Sequence, residues 1–380
     1  MSQPRRVAVL IETDDSWGRS LVASIASFAR ENQWRLLIAP RDHQHRLRLP
    51  GKWQGDGVLV SLRDRSMVDH VRRSRLPAVD VSIMMPRSVW PGRVATDDEA
   101  RAKMAFEHFR ERQLENFACY APAIGRYPIA RANAFRDVVT AAGFSCDVFA
   151  QRGETQGWEV DHDYVVEWLA ELPRPLAVFA ADPYPARQLA EICELNGIVV
   201  PDDVAILSGD NDDLLCSVSS PQLSSIQLAC SQIGTKAAAL LKKLMSGGKV
   251  PSSPTLVPPL HVNARRSTDV LAIEDSEIAA ILRYMADNIP RGLSVADVLR
   301  QFPVSRRSLE QKFRSQLSRS PAEHIRNLRM EHVARMLRET DLSITEIAYR
   351  AGFKSSSSLA QQMQRHFQTS PSSLRAKFRE

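Results

Sequence analysis

Between residues 5 and 260, short β-branched runs alternate with amphipathic helical stretches, and beyond residue 275 the β signal stops altogether. Strand candidates are Val7–Ile11, Leu36–Ala39, Gly57–Leu62, Ala78–Val81, Phe117–Ala121, Leu176–Ala180 and Val204–Leu207. Helical stretches fall among them at Ser20–Glu31, Glu99–Arg112, Ile129–Ala142, Tyr164–Leu172, Tyr184–Leu195 and Ser231–Met245. Alternation of this kind requires crossover connections, so parallel sheets covered by helices on both faces are expected. The span is long for one sheet, which favours two similar α/β lobes with a cleft between them. Ligands of such sheets bind beyond the carboxyl ends of the strands. The layout predicted is an α/β domain at 1–262, a polar linker at 263–275 and an all-α domain at 276–380.

In the last domain, helix start signals take over. Ser294-Val-Ala-Asp297, Ser320-Pro-Ala-Glu323 and Ser343-Ile-Thr-Glu346 each put a hydroxyl at an N-cap and an acid three residues on, the pattern of a capping box. Pro321 and Pro371, each after a serine, suit a first helical position. Seven short helices result. Charge separates along the same line: Ser276–Glu380 holds 18 Lys and Arg against 10 Asp and Glu, whereas the whole chain is only +6. The entire positive excess sits at one end, which points to a polyanion as partner there.

The helical domain also repeats itself at an offset of 50 residues. SRRSLEQKF at 305–313 matches SSSSLAQQM at 355–363, and a shorter helix and a tight turn precede each copy. Leu309 and Leu359 fall where they would be buried between the two helices, leaving the outer face of the second helix free to enter a major groove. That face offers Arg306, Arg307, Glu310, Gln311 and Arg314 in the first copy, and Ser356, Ser357, Gln361 and Arg365 in the second. Arginine suits guanine, glutamine suits adenine, and glutamate can accept from cytosine N4. Apolar Ile325, Leu328, Val333, Met336 and Leu337 mark one face of a long helix that would hold the two copies at fixed separation. Double-stranded DNA is the partner these features imply.

On those residues the tail resembles the DNA-binding domain of AraC-family regulators. The family pattern is met by Ile347, Ala348, Gly352, Phe353, Ser355, Leu359, Arg365-His366-Phe367 and Ser370-Pro371. The first copy departs from it with Leu299 for a small residue and Pro303 for the turn glycine, and Gln368 replaces a glycine often found before the final Ser-Pro. The segments VAVLIE, GDGVLVSL, VATDDEA and VFAADPYPARQLAEICELNGIVVPDDVAILSGDND are similar to periplasmic-binding-protein and LacI-type effector domains, rather than to the small β-barrel sensor of most AraC proteins. Together with Ala264-Arg-Arg-Ser-Thr-Asp269 at the junction, this combination resembles the xylose-responsive branch of the family. The resemblance implies a transcription regulator, an activator by family habit, with xylose or another pentose as effector. It also implies that Arg131 reaches the sugar hydroxyls.

Position supplies the other effector-site candidates. Asp182 and Asp210 follow apolar strand candidates, where a carboxylate can accept from two vicinal hydroxyls; Asp182, standing before Pro183, is equally good as a helix cap. Trp17, after the first strand, could stack on a pyranose face, and Asp97 and Asn211 are further candidates. A two-fold axis, and hence a homodimer, would match paired half-sites, and an activator would also meet RNA polymerase. A non-sugar effector stays open, as does an α/β enzyme with a nucleic-acid-binding tail. Against an enzyme, the chain has no complete phosphate loop, no G-x-S-x-G elbow and no H-E-x-x-H. No cofactor or metal is expected: the five cysteines are scattered without a C-x-x-C pair, and Asp161-His162-Asp163 and His43-Gln44-His45 are isolated clusters. No apolar run approaches the roughly 18 residues of a membrane span. MSQPRRVAVLIE lacks the features of a secretory signal, so a cytoplasmic location is expected.

Overall fold

Val58, Leu59 and Val60 are all fully buried, as consecutive strand residues must be when helices cover both faces of a sheet. A computed structural model of the chain describes residues 4–85, 90–122, 127, 129–149, 161–270, 276–289, 292–317, 319–340, 342–367 and 369–379. They fall into two units, Met1–Val270 and Leu271–Glu380.

The first unit contains β1 (Arg6–Leu10), β2 (Arg35–Ile38), β3 (Gly57–Val60), β4 (Ala78–Asp80), β5 (Gly92–Thr96), β6 (Asn116–Tyr120), β7 (Cys146–Val148), β8 (Leu176–Ala180), β9 (Val204–Ser208), β10 (Ser224–Gln227), β11 (Thr255–Val257) and β12 (His261–Asn263). One six-stranded sheet runs β11-β5-β4-β3-β1-β2 and the other β12-β10-β9-β8-β6-β7. Pairing is parallel except where β12 lies antiparallel to β10. The chain completes most of one lobe, then most of the other, and returns to place β11 and β12 at their edges. Helix Cys230–Met245 belongs to the first lobe, where it packs on helix Ser16–Glu31 and on β3, β4 and β5. Gly234 permits that approach: a Cβ there would stand 1.9 Å from Ser24 Oγ and 2.9 Å from Leu21 O.

The stretch expected as a linker requires a correction. Over 263–270 it is part of the α/β unit. Asn263 ends β12, Arg265 Nη1 donates to Leu223 O at 2.9 Å and Ser225 Oγ at 2.8 Å, and Ser267 Oγ donates to Ile206 O at 2.6 Å. Thr268 Oγ1 lies 2.8 Å from His108 Nε2 and 2.7 Å from Ser224 Oγ, fully buried. The segment is polar because it meets the groups at a sheet's edge, not because it meets water. Residues 271–275 lie outside the described residues.

The second unit has seven helices among the described residues: Ser276–Asn288, Val295–Gln301, Arg306–Leu317, Pro321–Glu339, Ile344–Arg350, Ser356–Phe367 and Pro371–Arg379. All three capping boxes form, at Ser294/Asp297, Ser320/Glu323 and Ser343/Glu346. Two small cores stand side by side. Val298, Leu309 and Phe313 build the first with the apolar face of helix Ser276–Asn288, and Ile347, Leu359 and Met363 build the second. The long helix Pro321–Glu339 serves both, giving Ile325 to one and Met330, Val333 and Leu337 to the other.

Candidate functional site

The two turns that set the outer helices differ in chemistry. In the second copy, Gly352 sits at φ +76°, its amide donating to Tyr349 O and that of Phe353 to Ala348 O. This is the glycine stop that satisfies the last carbonyls of a helix. In the first copy the chain leaves helix Val295–Gln301 through an extended Phe302, with Pro303 following and no glycine. Both routes deliver the same result: Leu309 with Phe313, and Leu359 with Met363, are fully buried beneath their helices.

The opposite faces are open. Arg307, Glu310, Gln311, Arg314 and Ser315 line one shallow concavity on helix Arg306–Leu317. Arg306 is exposed and pairs with Glu310, Nε to Oε1 at 3.4 Å. On helix Ser356–Phe367, Ser357, Gln361 and Arg365 are exposed in steps of four, one stripe along the helix. Ser356 is half-buried at the helix start. Its neighbour Ser355 caps the helix by accepting from the Ser358 amide, whose side chain accepts from Ser355 N in return. Gln368 lies outside the described residues.

The first unit holds an open cleft between its two sheets. Its walls come from just beyond strand carboxyl ends: Asp15 and Trp17 after β1, Ser61 and Arg63 after β3, Ser82 after β4, Thr96 at the end of β5, Asp182 after β8, Asp210 after β9 and Leu228 after β10. Arg131 joins them from helix Ala130–Ala141, and Asp98 and Arg101 from helix Asp98–Arg110. Four of the expected effector residues are therefore brought together: Trp17, Arg131, Asp182 and Asp210.

Asp97 and Asn211 are not among the residues lining the cleft, and each has a scaffold task. Asp97 caps helix Asp98–Arg110 by accepting from Ala100 N at 3.0 Å. The buried Asn211 carboxamide accepts from Ser225 Oγ at 2.7 Å and lies 3.4 Å from Arg265 Nη1, so it fastens the end of the α/β unit. Asp182 caps helix Pro183–Leu195 and also lines the cleft.

A tight cluster of charge lies at the cleft wall. Asp98 bridges Arg101 Nη2 at 3.3 Å and Arg131 Nε at 3.5 Å, and Arg131 Nη1 donates to Ala181 O at 2.7 Å. Burial pushes the Asp210 carboxyl up to about 7; nearby Arg101 and Arg131 oppose the rise and Asp182 adds to it. Arg101 is 1% exposed, and burial and then the neighbouring Arg131 lower its pKa. The sequence pattern did not point to Asp15, Arg63, Asp98 or Arg101. Recognising β5 would have found the last two, because Asp98 and Arg101 open the helix that follows it.

A periplasmic binding protein-like domain model matches residues 106–268, and a helix-turn-helix domain model matches residues 298–377. An α/β effector unit joined to a doubled helix-turn-helix with open outer faces defines a DNA-binding transcription regulator, not an enzyme. The chain is homologous over its full length to xylose operon regulatory proteins. It is 25% identical to that of Haemophilus influenzae (97% of this chain, 98% of the relative) and 28% identical to that of Escherichia coli K12 (97% and 96%). The solved structure of the xylose-binding transcription activator xylR superposes with a TM-score of 0.77 at 25% identity, covering 99% of this chain and 98% of that one.

Proposed function

We propose that this regulator senses a neutral monosaccharide, xylose or another pentose, in the cleft lined by Trp17, Arg131, Asp182 and Asp210, and activates sugar-catabolic genes in the cytoplasm. The observation that carries the reading is the convergence of a guanidinium, two carboxylates and an indole beyond the strand ends of facing sheets. Carboxylates accept from paired hydroxyls, arginine donates to them, and an aromatic face covers the apolar side of a sugar ring. The full-length likeness to xylose operon regulators supports a pentose in particular. In this reading Arg306, Arg307, Glu310, Gln311 and Arg314, with Ser356, Ser357, Gln361 and Arg365, touch bases or phosphates. A homodimer would present two such tails to paired half-sites, and an activator so placed contacts RNA polymerase.

Sugar controls DNA binding only by favouring one state of the protein over another. The test is calorimetric titration of the purified chain with xylose, arabinose, ribose, lyxose and glucose, with promoter binding measured at each saturation. Sugar binding that shifts promoter affinity supports the reading. Promoter affinity indifferent to every sugar refutes it.

A further inference from the structure

Arg101 stands apart from the other charged groups of the cleft. Its side chain is 1% exposed, only Nη2 has an acidic partner, and Nε and Nη1 have no hydrogen-bond partner among the described residues. The nearby Arg131 has a carbonyl, a carboxylate and an aromatic face to rest on. A buried guanidinium with two empty donors is costly to the folded protein, and such cost persists where something outside the chain relieves it. Arg101 lines the cleft, and the cleft is the space beside it that a partner could enter.

We infer that Arg101 is an effector-binding and specificity-determining residue, which donates to a hydroxyl or ring oxygen of the neutral sugar held in the cleft. The inference rests on the sugar reading given above and adds to it a contact and a ligand class. The charges nearby choose between neutral and acidic sugars. Arg101 and Arg131 face Asp98, Asp182 and Asp210, and Arg63 on the cleft's other side is engaged by Glu12 at 2.7 Å. Even with Asp210 protonated, Asp15, Asp98 and Asp182 on the lining outnumber Arg101 and Arg131, so a uronate or a phosphorylated sugar meets repulsion where a neutral ring meets both donors and acceptors. Arg101 supplies the donor and Asp210 the acceptor on the same wall.

The experiment compares the parent with Arg101→Met, Arg101→Lys and Arg131→Ala, using the full chain. Each is melted without ligand and titrated with xylose, arabinose, ribose, lyxose and glucuronate. Methionine fills the same volume without charge, so Arg101→Met should melt no lower than the parent when no sugar is present. Its affinity for the parent's best sugar should fall roughly 10- to 100-fold, the range for a hydrogen bond to a charged group. The loss should fall unevenly across the four epimeric pentoses, because a contact to one oxygen depends on its stereochemistry. Arg101→Lys, which keeps a cation, should lose less than Arg101→Met, and it decides the matter if the methionine variant does not fold. Unchanged affinity in the folded variants, or an equal loss for every pentose, overturns the role of Arg101 alone. A parent that prefers glucuronate overturns the neutral ligand class. A parent that binds none of these sugars overturns the sugar reading, and the contact with it; unchanged binding by Arg131→Ala places the sugar somewhere other than this cleft, with the same consequence.

Discussion

Replacing Asp210 by asparagine should remove a defined part of the pH dependence of folding. Burial pushes this carboxyl up to about 7 from an ordinary 3.8, so across the range between them the native chain holds a proton that the unfolded chain has released. An acid raised in this way contributes stability that is complete below its unfolded pKa and is lost as the pH rises through its folded one. The gap of about 3 units corresponds to about 4 kcal/mol in all, of which about 3 kcal/mol falls between about pH 5 and about pH 8. Two histidines work in the other direction. Burial holds His108 at about 3 and His324 at about 4. Both are native as neutral rings, so they cost stability as the pH falls below about 6.5. Their slope is common to parent and variant, which makes the difference between the two the useful quantity. Denaturant unfolding of parent and Asp210→Asn, without sugar and at matched pH, should show the variant gaining about 3 kcal/mol on the parent from about pH 5 to about pH 8. A difference that stays constant across that range would mean that Asp210 is not held in a desolvated site, and the account of the cleft's electrostatics would be wrong.

Two further outcomes follow from the other sites. Thr268→Val keeps the shape but removes the hydroxyl that His108 and Ser224 share; it should cost about 1–3 kcal/mol in a thermal or denaturant melt, with Thr268→Ser close to the parent. A valine variant as stable as the parent would show that this junction holds by packing alone. Arg307→Ala with Gln361→Ala should lower the ratio of promoter to scrambled-DNA affinity, by about 1–3 kcal/mol for each base pair read bidentately. Fluorescence anisotropy at fixed salt measures the ratio, and a ratio equal to the parent's would remove these side chains from base recognition.

The second unit was legible nearly to the residue, for a physical reason. Helix starts are local: a serine cap and an acid three residues on act through backbone amides within one turn, so Ser294, Ser320 and Ser343 state their function wherever the rest of the chain lies. The doubled pattern added a long-range check, since Leu309 and Leu359 had to be buried alike. The α/β unit was legible only where strands are apolar. β1, β3, β8 and β9 are almost wholly buried runs and were found, whereas β5, β7, β10, β11 and β12 are three to five residues long and carry Gly, Ser, Thr, His or Asp. Short strands at a sheet's edge (β7, β11, β12) or one place in from it (β5, β10) draw their stability from neighbours that arrive from elsewhere in the sequence.

The same limit decided which cleft residues could be foreseen. Asp182 and Asp210 follow strands that announce themselves, so their place beyond a carboxyl end follows from the order of residues alone. Asp98 and Arg101 follow β5, whose Gly92 and Arg93 hide it, and in sequence they read as an ordinary charged pair in the first turn of an exposed helix. Folding makes them otherwise: the helix they open packs against β12 and helix Ala130–Ala141 and leaves Arg101 1% exposed at the cleft wall, while Asp97, a candidate ligand in the sequence, caps that helix. A charged residue's burial is set by what packs over it, and that packing is non-local. Hence the residue whose chemistry most needs a ligand is the one that no local pattern marks.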